Sequence, residues 1–112
     1  MQDQQFTTLI IRMRQDQDRG SRPNHDLPNA SSLRELNEKY TAALAKWIAR
    51  CMSDSNVGRG VITNVDKNRI TDELLRINIV KTGDRSIDPV SAVLLMKATV
   101  YTAVDRAVNG RY

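Results

Sequence analysis

The segment that most restricts the fold of this chain lies near its C-terminal end. Asp-Pro at 88–89 supplies an N-cap and then a proline at the first helical position, where its missing N–H is not needed. Asn-Gly at 109–110 is a common helix stop. These signals predict a helix over 89–109. Its few charged residues are Lys97, Asp105 and Arg106.

This predicted last helix is apolar on most of its sides. Two faces share this character: the first carries Val90, Val93, Leu94, Tyr101, Val104 and Val108, and the second carries Ala92, Leu95 and Met96. Such a helix is either enclosed by its own fold or covered by another chain. A chain of 112 residues with about three helices has too few elements to enclose it. We therefore predict self-association through an interface of Val93, Leu94, Leu95, Met96, Tyr101 and Val104.

The clearest helical periodicity lies earlier in the chain. Ser32 and Glu35 match the Ser-x-x-Glu capping box, in which each side chain satisfies a backbone N–H of the first turn. Apolar residues then recur at steps of three or four: Leu33, Leu36, Tyr40, Leu44, Trp47, Ile48 and Cys51. This periodicity predicts a helix over 32–53. Turn-forming residues at 53–60 are expected to end it.

The stretch between the two long helices is ambiguous. Thr71 is followed by two acidic residues, a pattern typical of a helix N-cap with charges that suit the positive end of the helix dipole. It predicts a short helix over 71–80. A strand at 77–81 is the alternative, because that stretch is rich in β-branched residues. Residues 61–65 are compatible with a further short strand.

The N-terminal region differs from the rest of the chain in amino-acid composition. Residues 14–30 combine Gly and Pro with many Asp, Asn, Gln and Ser, and Leu27 is their only large apolar side chain. Such a segment buries too little apolar surface to offset its ordering entropy. Before it, residues 6–13 form a short apolar stretch that predicts a β segment or a docking peptide. We therefore expect a flexible arm over 1–30 and a helical domain over 31–112. The predicted fold class is mostly α, a small bundle of about three helices.

The sequence lacks the groupings that catalysis or metal binding needs. A metal site requires several His, Cys, Asp or Glu converging on one point, but the chain has a single His25 and a single Cys51. Cys51 falls on the apolar stripe of the first long helix, which predicts a small buried residue. Gly58 and Gly60 match no phosphate-binding loop. We predict no catalytic residue, no metal and no cofactor.

The distribution of charge allows a second functional hypothesis, nucleic-acid binding. The net charge is +4, with twelve Arg against five Lys, and Arg is favoured for bidentate contacts to phosphate or carboxylate. Residues 1–30 carry four Arg and four Asp, so the excess belongs to 31–112. The segment 59–85 concentrates bases and would be the phosphate-contacting surface. Those candidate nucleic-acid contacts are Arg59, Lys67, Arg69, Arg76, Lys81 and Arg85.

These observations predict a function only at a coarse level. The first hypothesis is a non-enzymatic, self-associating helical module, a small structural or regulatory component of a larger prokaryotic or viral assembly. The alternative is a DNA- or RNA-binding regulator that uses the bases of 59–85. No apolar run reaches the ~18 residues that a bilayer span needs, so we expect no membrane span and a cytoplasmic location. The expected partner is another copy or another protein, with nucleic acid as the alternative and no small-molecule substrate.

Overall fold

The protein is mostly helical. A computed structural model describes the backbone of residues 1–20, 33–77 and 89–112, and their side chains except those of 33–37, 59 and 89–95. These residues contain no strand. The elements are α1 (Asp3–Asp18), α2 (Leu33–Asp54), a single 3₁₀ turn (Arg59–Val61), α3 (Asn64–Arg76) and α4 (Pro89–Asn109).

The two long helices end where their turn-forming residues predict. After α2, Asn56 takes a left-handed conformation with φ 56°, and the N–H of Val57 donates to the carbonyl of Met52 at 2.9 Å. After α4, Gly110 has φ 70°, and the Arg111 N–H donates to the Arg106 carbonyl at 2.9 Å. Both are Schellman-type stops, which satisfy carbonyls that the helix end leaves free. The predicted helices over 32–53 and 89–109 are confirmed to within one residue.

The predicted start of the short helix is wrong. α3 begins after Thr63, whose hydroxyl accepts from the N–H of Asp66 while the Asp66 carboxylate accepts from the N–H of Thr63. This reciprocal cap replaces the expected strand at 61–65 and the expected N-cap at Thr71. Thr71 lies inside the helix instead, and its hydroxyl donates to the Lys67 carbonyl at 2.8 Å. α3 ends at Arg76, and residues 78–81 of the alternative strand lie outside the described residues.

The predicted β segment at 6–13 is also wrong, because these residues lie within α1. Phe6, Leu9, Ile10 and Met13 are spaced three or four apart, so a helix collects them on one face, which packs on the core. A helix also satisfies its own backbone without a partner strand. Residues 3–18 of the expected flexible arm are therefore a core helix. The boundary at residue 30 lies outside the described residues and stays a prediction.

The helices share one core, and α1 and α4 both pack on α2 and α3. α1 runs antiparallel to α2, since Arg12 pairs with Asp54 near the end of α2 while Asp16 contacts Trp47 and Cys51 further back along α2. The packing of α4 on α2 and α3 is more extensive than that of α1. The largest fully enclosed side chains include Leu9, Met13, Leu44, Trp47, Ile48, Ile70, Leu74, Val100 and Val104.

Candidate functional site

A buried polar cluster joins α1 to α2 and is centred on Asp16. The Asp16 side chain lies in the interior although it carries a carboxylate. One of its oxygens accepts from Trp47 Nε1 at 3.0 Å and from Cys51 Sγ at 3.5 Å. The other lies 3.3 Å from the guanidinium of Arg12, which also pairs with Asp54 at 2.9 Å. The buried carboxylate therefore has both a charge partner and hydrogen-bond donors, as a stable interior requires.

This cluster disfavours ionisation of the Cys51 thiol. Burial raises the pKa of the Cys51 thiol to about 12, and the charge and hydrogen bond of Asp16 act in the same direction. The thiolate is the nucleophilic form of cysteine, so a thiol with this pKa is almost entirely protonated at neutral pH. The structure thus places Cys51 where the helical stripe predicted it, as a buried residue of α2.

The basic residues predicted to contact nucleic acid are described in part, and two of them, Lys67 and Arg69, contact different helices. Lys67 pairs with Asp105 of α4 at 2.8 Å, and this hydrogen bond is the main reason that the pKa of Asp105 lies below its ordinary value. Arg69 turns to α1 instead, where its guanidinium lies 4.0 Å from the centre of the Phe6 ring and 3.3 Å from Asp3.

Of the remaining members of that basic set, the structure describes the side chain of Arg76. Arg76 is exposed and lies 3.0 Å from Glu73 on the same helix. The Arg59 side chain, Lys81 and Arg85 lie outside the described residues. Each described base of the set therefore already has an acidic partner within the chain.

The predicted self-association residues also separate into different environments. Val104 is fully buried in the core of its own chain, so it has no surface to offer a partner. Met96 and Tyr101 are half-buried. Val93, Leu94 and Leu95 lie on α4, but their side chains are outside the described set.

A groove that the sequence did not predict opens where α2 and α4 end. Its volume is about 340 Å³, within the range of ligand-binding clefts. Small residues at its walls leave the space that larger side chains would fill. The lining consists of Ala49, Met52, Ser53, Val57, Gly58, Ala107 and Tyr112, with no Asp, Glu, Lys or Arg among them. Small residues at the ends of two helices are a weak sequence signal, because their meeting depends on the tertiary packing.

A second polar junction lies where α1 begins. The amino group of Met1 donates to Asp66 at 2.8 Å and to the Val61 carbonyl at 2.6 Å. Burial acts to raise the pKa of Asp66, but hydrogen bonds from the Met1 amino group and Thr63 hold this pKa below its ordinary value. The junction fixes the start of α1 against the start of α3.

Within residues 1–20, 33–77 and 89–112, no three His, Cys, Asp or Glu side chains are grouped as metal ligands would be. In the same part of the chain, no helix has the length and apolar character needed to cross a bilayer. Comparisons with known protein families, curated proteins and solved structures found no match to this chain.

Proposed function

We propose that this chain is a non-enzymatic, cytoplasmic helical module that associates with itself through the outer face of α4, as a small structural or regulatory component of an assembly. The observation that carries the proposal is the direction of the buried face of α4. In its C-terminal half the buried residues are Thr99, Val100, Ala103, Val104, Ala107 and Val108. At about 100° per residue, positions 94 and 95 each fall about 130° from the middle of that face.

The opposite side of α4 faces outward in the part of the helix whose side chains are described, from residue 96 onward. Ala98 and Thr102 lie on that side, and both are exposed. Leu94 and Leu95 continue the same side by one turn towards the N-terminal end of α4. Two adjacent leucines on that side of the helix favour contact with another chain, since burying a leucine stabilises by about 1.5–3 kcal/mol. Small residues beside them, such as Ala98, permit close approach of a second helix.

The proposal narrows the predicted interface. Leu94 and Leu95 are its centre, and the half-buried Tyr101 lies at its edge. Positions 93 and 96 fall by the same periodicity on the side of Val100 and Val104, which favours a role within the chain.

The test is the molar mass in solution at ~100 μM, far above the ~μM dissociation constants typical of specific contacts. We expect the wild-type protein to be dimeric or larger by light scattering, and Leu95→Asp to be monomeric because an unpaired carboxylate at an apolar contact is strongly unfavourable. Thr7→Asp adds the same charge at an exposed position of α1 and should keep the wild-type mass. A wild-type protein that remains monomeric would refute the proposal.

The nucleic-acid alternative has less support. Lys67, Arg69 and Arg76 each have an acidic partner within the chain, so phosphate contacts would have to displace those carboxylates. If residues 59–85 did bind phosphates, about five contacts would give a slope near −4 to −5 in a plot of log binding constant against log salt concentration. We expect no binding to a random duplex tighter than about 10 μM at ~150 mM salt, within the usual non-specific range.

A further inference from the structure

The polar contacts between α1 and α3 are ion pairs, and each of them contains a carboxylate. Three such pairs join the described side chains, when the amino group of Met1 just before α1 is counted with the helix. They are Met1 with Asp66 at 2.8 Å, Asp3 with Arg69 at 3.3 Å, and Arg14 with Glu73 at 3.6 Å. Protonation of a carboxylate removes the charge on which its pair depends.

The contacts of α1 with α2 depend on carboxylates as well. Arg12 pairs with Asp54 of α2 at 2.9 Å. The buried Asp16 accepts from Trp47 at 3.0 Å and from Cys51 at 3.5 Å. Together with the three pairs towards α3, five carboxylates therefore take part in the contacts of α1 with its neighbours.

The contacts of α4 are of a different kind. In the part of the chain whose side chains are described, one ion pair joins α4 to another helix, that of Asp105 with Lys67 at 2.8 Å. Most of the buried residues of α4 are apolar, Val100 and Val104 among them. Apolar burial does not depend on proton uptake. Acid therefore acts on the contacts of α1 far more than on those of α4.

The docking of α1 also leaves two of its polar atoms unmet. Arg12 Nε and Gln17 Oε1 are buried without a hydrogen-bond partner, and no other described side chain has a buried nitrogen or oxygen in this condition. A buried polar atom without a partner is unfavourable, because it has given up its hydrogen bonds to water. The contact of α1 therefore depends all the more on its charged pairs.

We propose that α1 is an acid-released helix that covers part of α2 and α3. When the five carboxylates take up protons, α1 detaches as a unit while α2, α3 and α4 stay packed together. Detachment exposes the surface beneath α1, including Trp47 and Cys51. The outer face of α4 takes no part in this change, so the inference does not rest on the proposed self-association.

The groups that face these carboxylates favour detachment in acid. Apart from the Cys51 thiol they are cations: the Met1 amino group, Arg12 and Arg14 on the side of α1, Arg50 of α2 beside Cys51, and Arg69 and Arg76 of α3. Guanidinium and amino groups keep their charge in acid. Once the carboxylates are neutral, these cations face one another across the contact and repel.

Asp66 gives the direction of the pH dependence. Burial acts to raise the pKa of Asp66, but hydrogen bonds from the Met1 amino group and Thr63 hold this pKa below its ordinary value. The docked state therefore binds the proton more weakly than the detached state. Its stabilisation is present above the ordinary carboxyl range and is lost as the pH falls through the lowered pKa. We expect release below about pH 4, where carboxyl groups ordinarily take up protons.

The test follows the single tryptophan, Trp47, and the helical content through an acid titration. Acrylamide quenching of Trp47 fluorescence measures its exposure, and far-UV circular dichroism measures helix, from neutral pH to about pH 2.5. We expect quenching to rise about three-fold in acid, as for a local opening that leaves the rest folded. The helical signal should fall by no more than the share of α1, which has 16 helical residues against 22, 13 and 21 in α2, α3 and α4.

Variants identify the carboxylates as the trigger. Asp16→Asn/Asp54→Asn removes both acidic partners of Arg12 and should move the release to higher pH by about one unit. Asp18→Asn/Asp72→Asn is the matched control, because it removes two exposed acids that take part in none of these contacts and should titrate like the wild type. The wild-type titration decides alone if Asp16→Asn does not fold.

Three results would overturn the proposal. The first is a quenching of Trp47 that does not change down to the lowest pH. The second is a loss of the whole helical signal together with the rise in quenching, since that is acid unfolding of the entire fold without a separate release of α1. The third is a folded Asp16→Asn/Asp54→Asn variant that titrates like its control, which would deny the carboxylates their role.

Discussion

The two terminal helices of this protein are held in place by different physical means. α4 packs on α2 and α3 through an apolar face that includes Val100 and Val104. α1 contributes fewer core residues and adds polar contacts, above all the buried Asp16 that joins Trp47 and Cys51. Its contacts with α2 and α3 are also smaller. α4 is therefore held mainly by apolar burial, whereas α1 combines a smaller apolar contact with specific polar partners.

This difference implies that α1 and α4 differ in their resistance to local unfolding. Apolar burial is non-directional and adds up over a whole face. A buried hydrogen bond or ion pair adds only about 1 kcal/mol net to the stability. Removing one partner leaves the other buried without a hydrogen bond, at the cost of its desolvation. We therefore expect α4 to open only with the whole fold, and α1 to be the helix that detaches first.

The largest expected effect comes from the apolar face of α4. Val104→Asp places a carboxylate at a fully buried position that has no partner. We expect a loss of at least about 4 kcal/mol, enough to unfold most of the protein. Thr102→Asp, an exposed neighbour, is the control for helix propensity. Circular dichroism that shows a cooperative, wild-type-like melt for Val104→Asp would contradict the packing described for α4.

The next effect concerns the apolar anchor of α1. Leu9→Ala removes a fully buried side chain and should reduce the free energy of unfolding by about 2–5 kcal/mol. Trp47 is the only tryptophan and touches α1 through Asp16, so its fluorescence reports the docking of α1. In urea we expect the fluorescence transition to precede the loss of helical circular dichroism. Coincident transitions would mean that α1 and α4 unfold as one unit.

A smaller effect is expected at the polar anchor of α1. Asp16→Ala leaves the buried Trp47 Nε1 without its acceptor and should cost about 1–3 kcal/mol. It also removes two of the causes that raise the pKa of Cys51. The rate of thiol labelling should therefore rise at neutral pH. Asp18→Ala, an exposed acid on the same helix, is the matched control. Equal labelling rates in the two variants would deny Asp16 this role.

The smallest effect is a pH dependence at Asp66. Its pKa lies below the ordinary value in the folded protein, so its stabilisation is complete above the ordinary carboxyl range and is lost as the pH falls through the folded pKa. Asp66→Asn should thus lower stability by about 1 kcal/mol at neutral pH, as loss of a cap usually does. The difference from the wild type should vanish in strong acid. A difference that persists there would assign the effect to packing.

The same contrast explains what the sequence could predict. α2 and α4 were predicted closely because their apolar steps and turn residues act locally. α1 was missed because its β-branched residues suggested a strand, and because the hydrogen-bond donors to Asp16, Trp47 and Cys51, lie more than 30 residues away. α3 was placed too late because Thr71 has the pattern of a cap, whereas Thr63 and Asp66 form the real one.

The candidate sites likewise divide into those that a local pattern predicts and those that depend on tertiary packing. Cys51 was predicted as a buried residue from its position on one helical stripe. The ion pairs of Lys67 and Arg69 join α3 to α4 and α1, so no local pattern could show that these bases have acidic partners. The groove at the ends of α2 and α4 likewise exists only after the two helices meet.

Amide hydrogen exchange at two protein concentrations tests the central claim most directly, namely that α4 meets a second chain while α1 contacts only its own. Exchange is measured at ~0.1 μM and ~100 μM, below and above the ~μM dissociation constants typical of specific contacts. We predict that amides of residues 90–96 become more protected at the higher concentration, and that those of 3–18 do not change. Protection of 90–96 that is independent of concentration, or a change confined to α1, would contradict the account.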